Sequence, residues 1–369
     1  MGEMRMDERA YSTIIDAIMF LAMVSVCAVI LGAAISSVER SRAETDMSMQ
    51  KLASSTLESM GTAKVDYFQY RILGDRVDQI AQACGIDPQA KLYKDTANAV
   101  LGRGNRHKTV MELAAEDAAC QFTLRYDNDT LKLNPLTGDY DRQTSILVDG
   151  FVRGRIDSRY GYQFSLRWTP FAGVPLEGFV SSGKTPPEGA ASTSSYVTMP
   201  FVTAIDKKAI EAVAKPDLGD IENATAEYRS NGDAGSFEKK IRPSLDRCLK
   251  NASALMVEEV WNDTVGQKIP DTDVRNPLKM LASFSGEDSS INTILVNQSF
   301  DIEGTICDLI VSRNSDELDR LAGTIATGVC DGSMDDEEER SLILAWMQSR
   351  YNPSRATATM SVWVSGHDS

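Results

Sequence analysis

The longest apolar segment of the chain runs from Ala17 to Ile35 and contains nineteen residues without a charge. A helix of about 20 apolar residues is long enough to cross the hydrocarbon core of a bilayer. The core helix of a soluble domain would carry a polar stripe, and this segment carries none. The pattern therefore predicts a transmembrane helix over residues 11–38. A cleaved secretory signal is the competing interpretation, although its apolar core usually spans only about 7–15 residues.

The flanking sequence divides the chain further. Residues 1–10 form a charged leader, and Lys or Arg occurs on both sides of the apolar segment, so the positive-inside rule does not set its orientation. The next segment is polar with scattered apolar positions, which is consistent with the helix continuing as a stalk over residues 39–60 and ending near Gly61. Residues 61–369 would form an extracytoplasmic domain with a helical subregion over residues 204–350.

Two segments alternate between apolar and polar side chains, the first without an error and the second with Trp363 on its polar side. The first is Tyr160 to Trp168, and the second is Ala356 to Ser365 near the C-terminus. Such a period of two is typical of strands that bury one face. The sequence therefore predicts an α+β fold, in which a transmembrane helix precedes a mostly antiparallel sheet with helices packed on one side.

Shorter patterns predict the remaining elements. Helices are predicted over residues 75–84, 109–119 and 142–155. Strands are predicted near residues 65–69 and 196–201, and a hairpin is predicted over residues 122–134. In the helix over residues 142–155, the side chains expected to face inward are Ile146, Leu147, Gly150 and Phe151.

The net charge and the cysteines limit which ligands, metal sites and disulfides the sequence predicts. A net charge of -15 argues against a nucleic-acid partner, because phosphate binding requires clustered Lys and Arg. One of the six cysteines, Cys27, lies in the apolar segment, which leaves an odd number outside it. With two histidines and no CxxC motif, we expect no zinc site. The candidate disulfides are Cys307–Cys330 and Cys84–Cys120.

One segment matches the letters of a nucleotide-binding P-loop, from Gly178 to Thr185. That loop requires a buried strand before it and a helix that begins within it. Two prolines follow Thr185 at once, and further prolines interrupt the lead-in, so neither element is predicted. No GxSxG or HExxH motif occurs. We therefore expect no catalytic residue, no cofactor and no metal site.

Five Asn-X-Ser/Thr motifs lie outside the apolar segment. Glycans on such motifs require exposure on the outside of the cell. The motifs at Asn128, Asn223 and Asn297 are the candidate glycosylation sites, and Asn128 is expected at a hairpin tip. The motifs favour a domain outside the cell without establishing it.

The stretch DERAYSTIIDAIMFLAMVSVCAVILGAAI resembles the N-terminus of archaeal type IV pilin-like proteins. The resemblance covers about forty residues, and it implies cleavage near Arg9-Ala10-Tyr11 and helix assembly that involves the acidic residue Asp16. In that family the helices either bundle into a filament core or remain as a membrane anchor. A second stretch, RWTPFAGVPLEGFVSSGKTPPEG, is similar to a segment of uncharacterised archaeal membrane-anchored surface proteins and implies no activity.

These observations favour a non-enzymatic surface protein, held in the cell membrane by a single helix with its large domain outside. The first hypothesis is a structural or assembly role in a surface filament or envelope complex. The alternative is a tethered binding module for a solute or a protein ligand. The expected partners are membrane lipid and, beyond it, pilin-like subunits or other surface proteins.

Overall fold

The computed structural model describes residues 8–71, 78, 81–126, 129–132, 138–200, 203–264 and 302–365. The helices of these residues are α1 (Glu8–Thr62), α2 (Lys91–Leu101), α3 (Val110–Cys120), α4 (Gly138–Arg153), α5 (Lys207–Asn231), α6 (Ala234–Thr264), α7 (Ile302–Arg313), α8 (Ser315–Cys330) and α9 (Asp336–Ser349). The strands are β1 (Phe68–Arg71), β2 (Gly102–Asn105), β3 (Phe122–Tyr126), β4 (Asp129–Lys132), β5 (Tyr160–Trp168), β6 (Leu176–Gly183), β7 (Ala191–Thr198) and β8 (Arg355–Val364).

The larger sheet has six strands in the order β4-β3-β6-β5-β8-β7, and every neighbouring pair is antiparallel. β1 and β2 form a separate antiparallel pair. The predicted α+β class is confirmed, as are the two alternating strands and the β3–β4 hairpin. β7 begins at Ala191, earlier than the predicted strand near residues 196–201. Half of the predicted helix over residues 75–84 lies outside the described residues, and residues 78 and 81–83 are helical.

The sheet has one apolar face and one polar face. On β5, the side chains of Phe164, Leu166 and Trp168 are buried, and Trp168 lies opposite Ala356 of β8. The helices α1, α3 and α4 cover this inner face. The outer face carries serine and threonine in neighbouring register positions, such as Ser165 opposite Thr359. Helices therefore pack on one side only of the described sheet, as the sequence predicts.

α1 is a single helix whose last turns belong to the domain core. Met49, Ala53, Leu57 and Met60 recur every three or four residues, which places them on one face, and all four are buried. They pack over β7 and β8. The helix ends at Thr62, one residue beyond the predicted stop at Gly61. The segment predicted as a stalk is therefore anchored on the sheet through its second half.

The direction of α1 defines two ends of the sheet. Residues 41–49 lie beside residues 187–190 and Trp363, whereas the last turn lies beside residues 197–200. We call the first end, where β5 starts and β8 stops, the near end, because it faces the apolar segment. The opposite end, at Trp168, is the far end.

The helices α5 to α9 attach at the far end. The Trp168 Nε1–H donates to the carbonyl of Pro353 over 2.8 Å, and the ring of Phe171 packs against that of Tyr351 with centroids 5.5 Å apart. Glu259 of α6 accepts hydrogen bonds from the Thr203 hydroxyl and from the Tyr351 hydroxyl. These contacts fix the helical subregion to the sheet.

The rotation of α4 differs in part from the prediction. Leu147 and Phe151 are partly buried and pack against the core, whereas Ile146 is 60 % exposed and Gly150 is exposed. The fully buried positions are Asp139, Tyr140, Thr144, Val148 and Val152. The physical reason is the anchoring of Tyr140, whose hydroxyl donates to Glu116 over 2.8 Å and whose ring packs against Phe68. Both faces have helical spacing in the sequence, and this contact selects the one that turns inward.

Candidate functional site

The most prominent surface feature is the exposed part of α1. Every described side chain from Ala17 to Ser48 is exposed, and Leu21 and Val29 are 68 % and 71 % accessible. α1 is long and apolar enough to span a membrane, with a mean hydropathy of 2.7 over its most apolar window. An apolar surface of this extent marks a contact with lipid or with another protein.

The residues implicated by the pilin-like resemblance lie at the start of this helix. Arg9, Ala10 and Tyr11 occupy its first turns, and Asp16 directly precedes the exposed apolar segment. The backbone of all four residues is helical. The structure thus places the predicted cleavage position and the acidic position on one continuous helix, between one and two turns apart.

A second feature is a cleft of about 660 Å³ at the open edge of the sheet. We call it the edge cleft. It lies between the last turns of α1, the start of α3 and the strand β7, and it is lined in part by Ser54, Glu58, Lys108, Glu112 and the consecutive residues Thr193 to Pro200. Because residues of both strand faces line it, the cleft opens along the edge of β7.

Three carboxylates and one ammonium group set the charge of the edge cleft. Lys108 forms an ion pair with Glu116, which also accepts a hydrogen bond from Tyr140. Burial raises the pKa of Tyr140 well above its usual range, and the Glu116 charge raises it further. Glu112 closes the capping box of α3 with Thr109. The cleft is therefore acidic, and its Lys108 is already neutralised.

Hydrogen-bond alternation along β7 shows which backbone groups are open. The N–H of Met199 donates to the carbonyl of Ser354 on the β8 side. In an antiparallel pair the bonded positions recur every second residue, so odd-numbered residues face β8. The N–H and C=O groups of Ser192, Ser194, Tyr196 and Thr198 then point away from β8. Within the described residues no strand pairs with β7 on that side.

This alternation makes a stability prediction for two neighbouring, exposed serines. Ser195→Pro removes an N–H that faces β8 and is expected to lower the free energy of unfolding by about 1–3 kcal/mol, the cost of a carbonyl left unsatisfied. Ser194→Pro removes an outward N–H and is expected to cost clearly less. Urea unfolding of both variants checks this, and equal losses would contradict the register.

A third feature is a cleft of about 770 Å³, which lies at the near end between α4 and the ends of β5 and β6. The Tyr162 hydroxyl donates to Asp149, and Arg153 Nε lies 2.8 Å from the same carboxylate. The hydrogen bond from Tyr162 and the charge of Arg153 lower the pKa of Asp149. Burial and Asp149 in turn raise the pKa of Tyr162. This network holds α4 on the sheet.

Residues 15–234 match the model of a family of unknown function, DUF7284. The chain belongs to the DUF7284 family. The matched region begins inside α1 and ends at the first residue of α6, so it includes the exposed apolar segment, the edge cleft and the strands β1 to β7. No curated protein and no solved structure matches the chain.

Within the DUF7284 region, the residues that match the P-loop letters form a strand. Gly178 to Gly183 belong to β6, and the segment that follows them is not helical. The structure explains why glycine occupies both positions. A Cβ on Gly178 would lie 2.0 Å from the carbonyl oxygen of Ala118, and Gly183 has a φ of 97°. These residues therefore do not form the strand, loop and helix that cradle a phosphate.

Neither predicted disulfide is formed. Cys330 and Cys84 are exposed thiols outside any disulfide. Cys307 lies seven residues before Asn314, which joins α7 to α8, and Cys330 lies sixteen residues after it. At 1.5 Å per residue these arms measure about 10 and 24 Å, so the two cysteines are at least roughly 13 Å apart. A disulfide requires Cα atoms within about 7 Å.

The remaining candidate sites fall on different parts of the chain. Asn223 is exposed on α5, whereas Asn128 and Asn297 lie outside the described residues. The acidic run Asp335 to Glu339 forms the start of α9, and Asp335 makes a capping box with Glu338. In the part of the chain that the structure describes, no three metal-ligating side chains form a cluster.

One buried acid was missed by the sequence interpretation. Glu339 is only 2 % exposed and accepts a hydrogen bond from the Thr225 hydroxyl of α5 over 3.1 Å. Burial raises the pKa of Glu339 from its ordinary value of 4.5 to about 7. Glu339 is the last of five consecutive acidic residues, and nothing in the sequence distinguishes this buried residue from its neighbours.

The raised pKa predicts a pH dependence of stability. Between pH 4.5 and 7 the folded chain keeps a proton on Glu339 that the unfolded chain releases, so stability falls as pH rises through this window and then levels off. The expected contribution is roughly 3 kcal/mol. Denaturant unfolding at pH 5 and pH 8 should show a smaller decrease for Glu339→Gln than for the wild type. Identical decreases would refute the assignment.

Proposed function

We propose that this chain is a membrane-anchored cell-surface protein with a structural or assembly role in a surface filament or envelope complex. The observation that carries the proposal is the change of environment along α1. The side chains described from Ala17 to Ser48 are exposed, and from Met49 onward one face of the same helix is packed into the domain core. A rigid link of this kind transmits the position of the domain to the anchor.

The exposed segment is apolar on all sides, which supports two kinds of contact. Lipid chains would cover it in a membrane, and the helices of other copies would cover it in an assembled filament. The resemblance to type IV pilin-like proteins supports the second use. In that arrangement Asp16 pairs with a positive group of a neighbouring subunit, because a carboxylate in an apolar environment requires a partner.

The proposed orientation places the large domain outside the cell, held by a single membrane-spanning helix. The exposed asparagine of the candidate glycosylation motif at Asn223 supports this orientation. The net charge of -15 also supports it, since acidic surfaces keep exported proteins soluble. The proposal assigns the domain no catalytic step.

A second function is favoured by the edge cleft. A tethered binding module needs a recognition surface, and the open edge of β7 beside an acidic cleft provides one. In this alternative the helix acts only as a tether, and the copies of the chain do not polymerise.

Two measurements on the native protein separate these functions. Mass spectrometry of the native N-terminus reports cleavage near Ala10, and shearing of intact cells reports whether the chain leaves with surface filaments. The assembly role predicts a processed N-terminus and recovery in the sheared fraction. It also predicts that Asp16→Ala abolishes that recovery.

The matched control is Asp46→Ala, which removes an exposed carboxylate from the same helix outside the apolar segment. It should leave recovery in the sheared fraction unchanged. An intact N-terminus together with retention of the wild type in the membrane would reject the assembly role and favour the tether.

A further inference from the structure

The strand β7 lacks the features that usually protect the edge of a sheet. Its sequence, Ala191–Thr198, contains no charge and no proline, and it pairs with β8 without a bulge over its full length. Natural proteins block such edges with lysine, proline, bulges or a covering element, because unpaired N–H and C=O groups attract another strand. The described residues contain no strand that covers this edge.

The open groups of β7 match the needs of an extended ligand. Ser192, Ser194, Tyr196 and Thr198 present their backbone groups outward, at a repeat of about 7 Å. An extended peptide uses the same repeat when it adds a strand to a sheet. Tyr196 is 70 % exposed, and the guanidinium of Arg355 stacks on its ring on the outer face of the sheet, away from the inner face beside α1.

The carboxylates that line the edge cleft favour basic side chains on such a peptide. On the inner side of β7, Glu58 of α1 and Glu112 of α3 line the cleft, and neither has a cationic partner among the described residues. The one lysine that lines it, Lys108, is paired with Glu116. Every second side chain of an added strand would point toward these carboxylates. Lysine or arginine at those positions would form ion pairs with them.

We propose that β7 and the edge cleft bind an extended peptide segment of a partner protein that carries basic side chains at alternate positions. The backbone of the peptide pairs with the outward groups of Ser194 and its even-numbered neighbours. Its basic side chains contact Glu58 and Glu112. The net charge of -15 steers a basic segment toward the domain from a distance. This binding does not depend on whether α1 anchors the chain or assembles it.

The probe for this proposal is a fluorescent eight-residue peptide of alternating lysine and threonine, titrated against the full-length chain in detergent micelles by anisotropy. Saturable binding is expected. The same peptide with N-methylated amides on the edge that pairs with β7 is expected to bind at least tenfold more weakly, because it cannot donate to the strand. A peptide of alternating glutamate and threonine is expected not to bind.

Two variants test the site from the side of the protein. Ser194→Pro removes an outward N–H and blocks the edge, so it should weaken binding at least tenfold, and a melting curve verifies that the chain still folds. Glu58→Lys leaves β7 intact and should weaken binding several-fold. The matched control, Glu44→Lys, changes an exposed carboxylate of α1 that does not line the cleft and should have little effect.

The proposal is overturned if the lysine–threonine peptide does not bind. It is also overturned if the N-methylated peptide binds equally well, since attraction by net charge would then explain the affinity. Equal losses with Glu58→Lys and Glu44→Lys lead to the same rejection.

Discussion

The variant that carries both Val26→Arg and Val29→Arg is expected to leave the membrane fraction. Both residues lie near the middle of the apolar segment and are exposed. An arginine at the centre of a membrane-spanning helix costs about 2.5–3.5 kcal/mol, so the pair removes much of the free energy that favours insertion. Alkaline extraction of membranes, followed by quantification of the chain in pellet and supernatant, measures the effect.

Two control variants isolate the cause. The pair Val26→Leu and Val29→Leu keeps the segment apolar and should stay in the pellet. The pair Thr45→Arg and Ser48→Arg adds the same charges at the same spacing on an exposed part of α1 beyond the segment, and it should also stay. Retention of the arginine pair at Val26 and Val29 would show that the segment is not held by lipid.

The second large effect is expected from Ala53→Asp. Ala53 is fully buried where α1 packs on the sheet, and a carboxylate there would be removed from water without a described cationic partner. We expect a loss of about 4 kcal/mol or more in the free energy of unfolding, measured with urea on the full-length chain in micelles.

The control for this substitution is the next residue. Ser54 is exposed at the rim of the edge cleft, so Ser54→Asp should change the free energy of unfolding by less than about 0.5 kcal/mol. If Ala53→Asp and Ser54→Asp change the free energy of unfolding equally, α1 does not pack on the sheet as described. The proposed rigid link between the anchor and the domain would then be contradicted.

The sequence predicts those strands and helices whose side chains face the core and the solvent at the regular spacing of the element. β5 and β8 lie in the interior of the sheet with one face on the core and one face toward solvent, so their side chains alternate. β6 is equally central, yet it was not predicted. Its glycines, required by the close approach of α3 at Gly178, and the prolines beside it obscured the pattern.

β7 and α4 illustrate two other limits. The first half of β7 reads as a polar loop, because Thr193 and Ser195 face the inner side at an open edge where no apolar side chain is required. The rotation of α4 depends on the contact between Tyr140 and Glu116, which are far apart in the sequence. A helical pattern predicts that a helix forms, but it does not predict the tertiary contact that sets the rotation of the helix about its axis.

The candidate sites were predictable to different degrees. The apolar segment of α1 is local in sequence, so its length and composition suffice to identify it. The edge cleft combines residues 54–61, 108–116 and 193–200, and only the fold brings these three segments together. Glu339 shares the composition of its exposed neighbours, so its burial is visible only in the packing of α9 against α5.

The most direct test of the central claim, a single-pass anchor with the domain outside the cell, uses native thiols. Cys84 and Cys330 are exposed, whereas burial raises the pKa of Cys248 to about 12 and makes it unreactive. A membrane-impermeant maleimide applied to intact cells is predicted to label the wild-type chain, with the label reduced in the variant Cys84→Ser with Cys330→Ser. Labelling that appears only after the cells are opened would contradict the account.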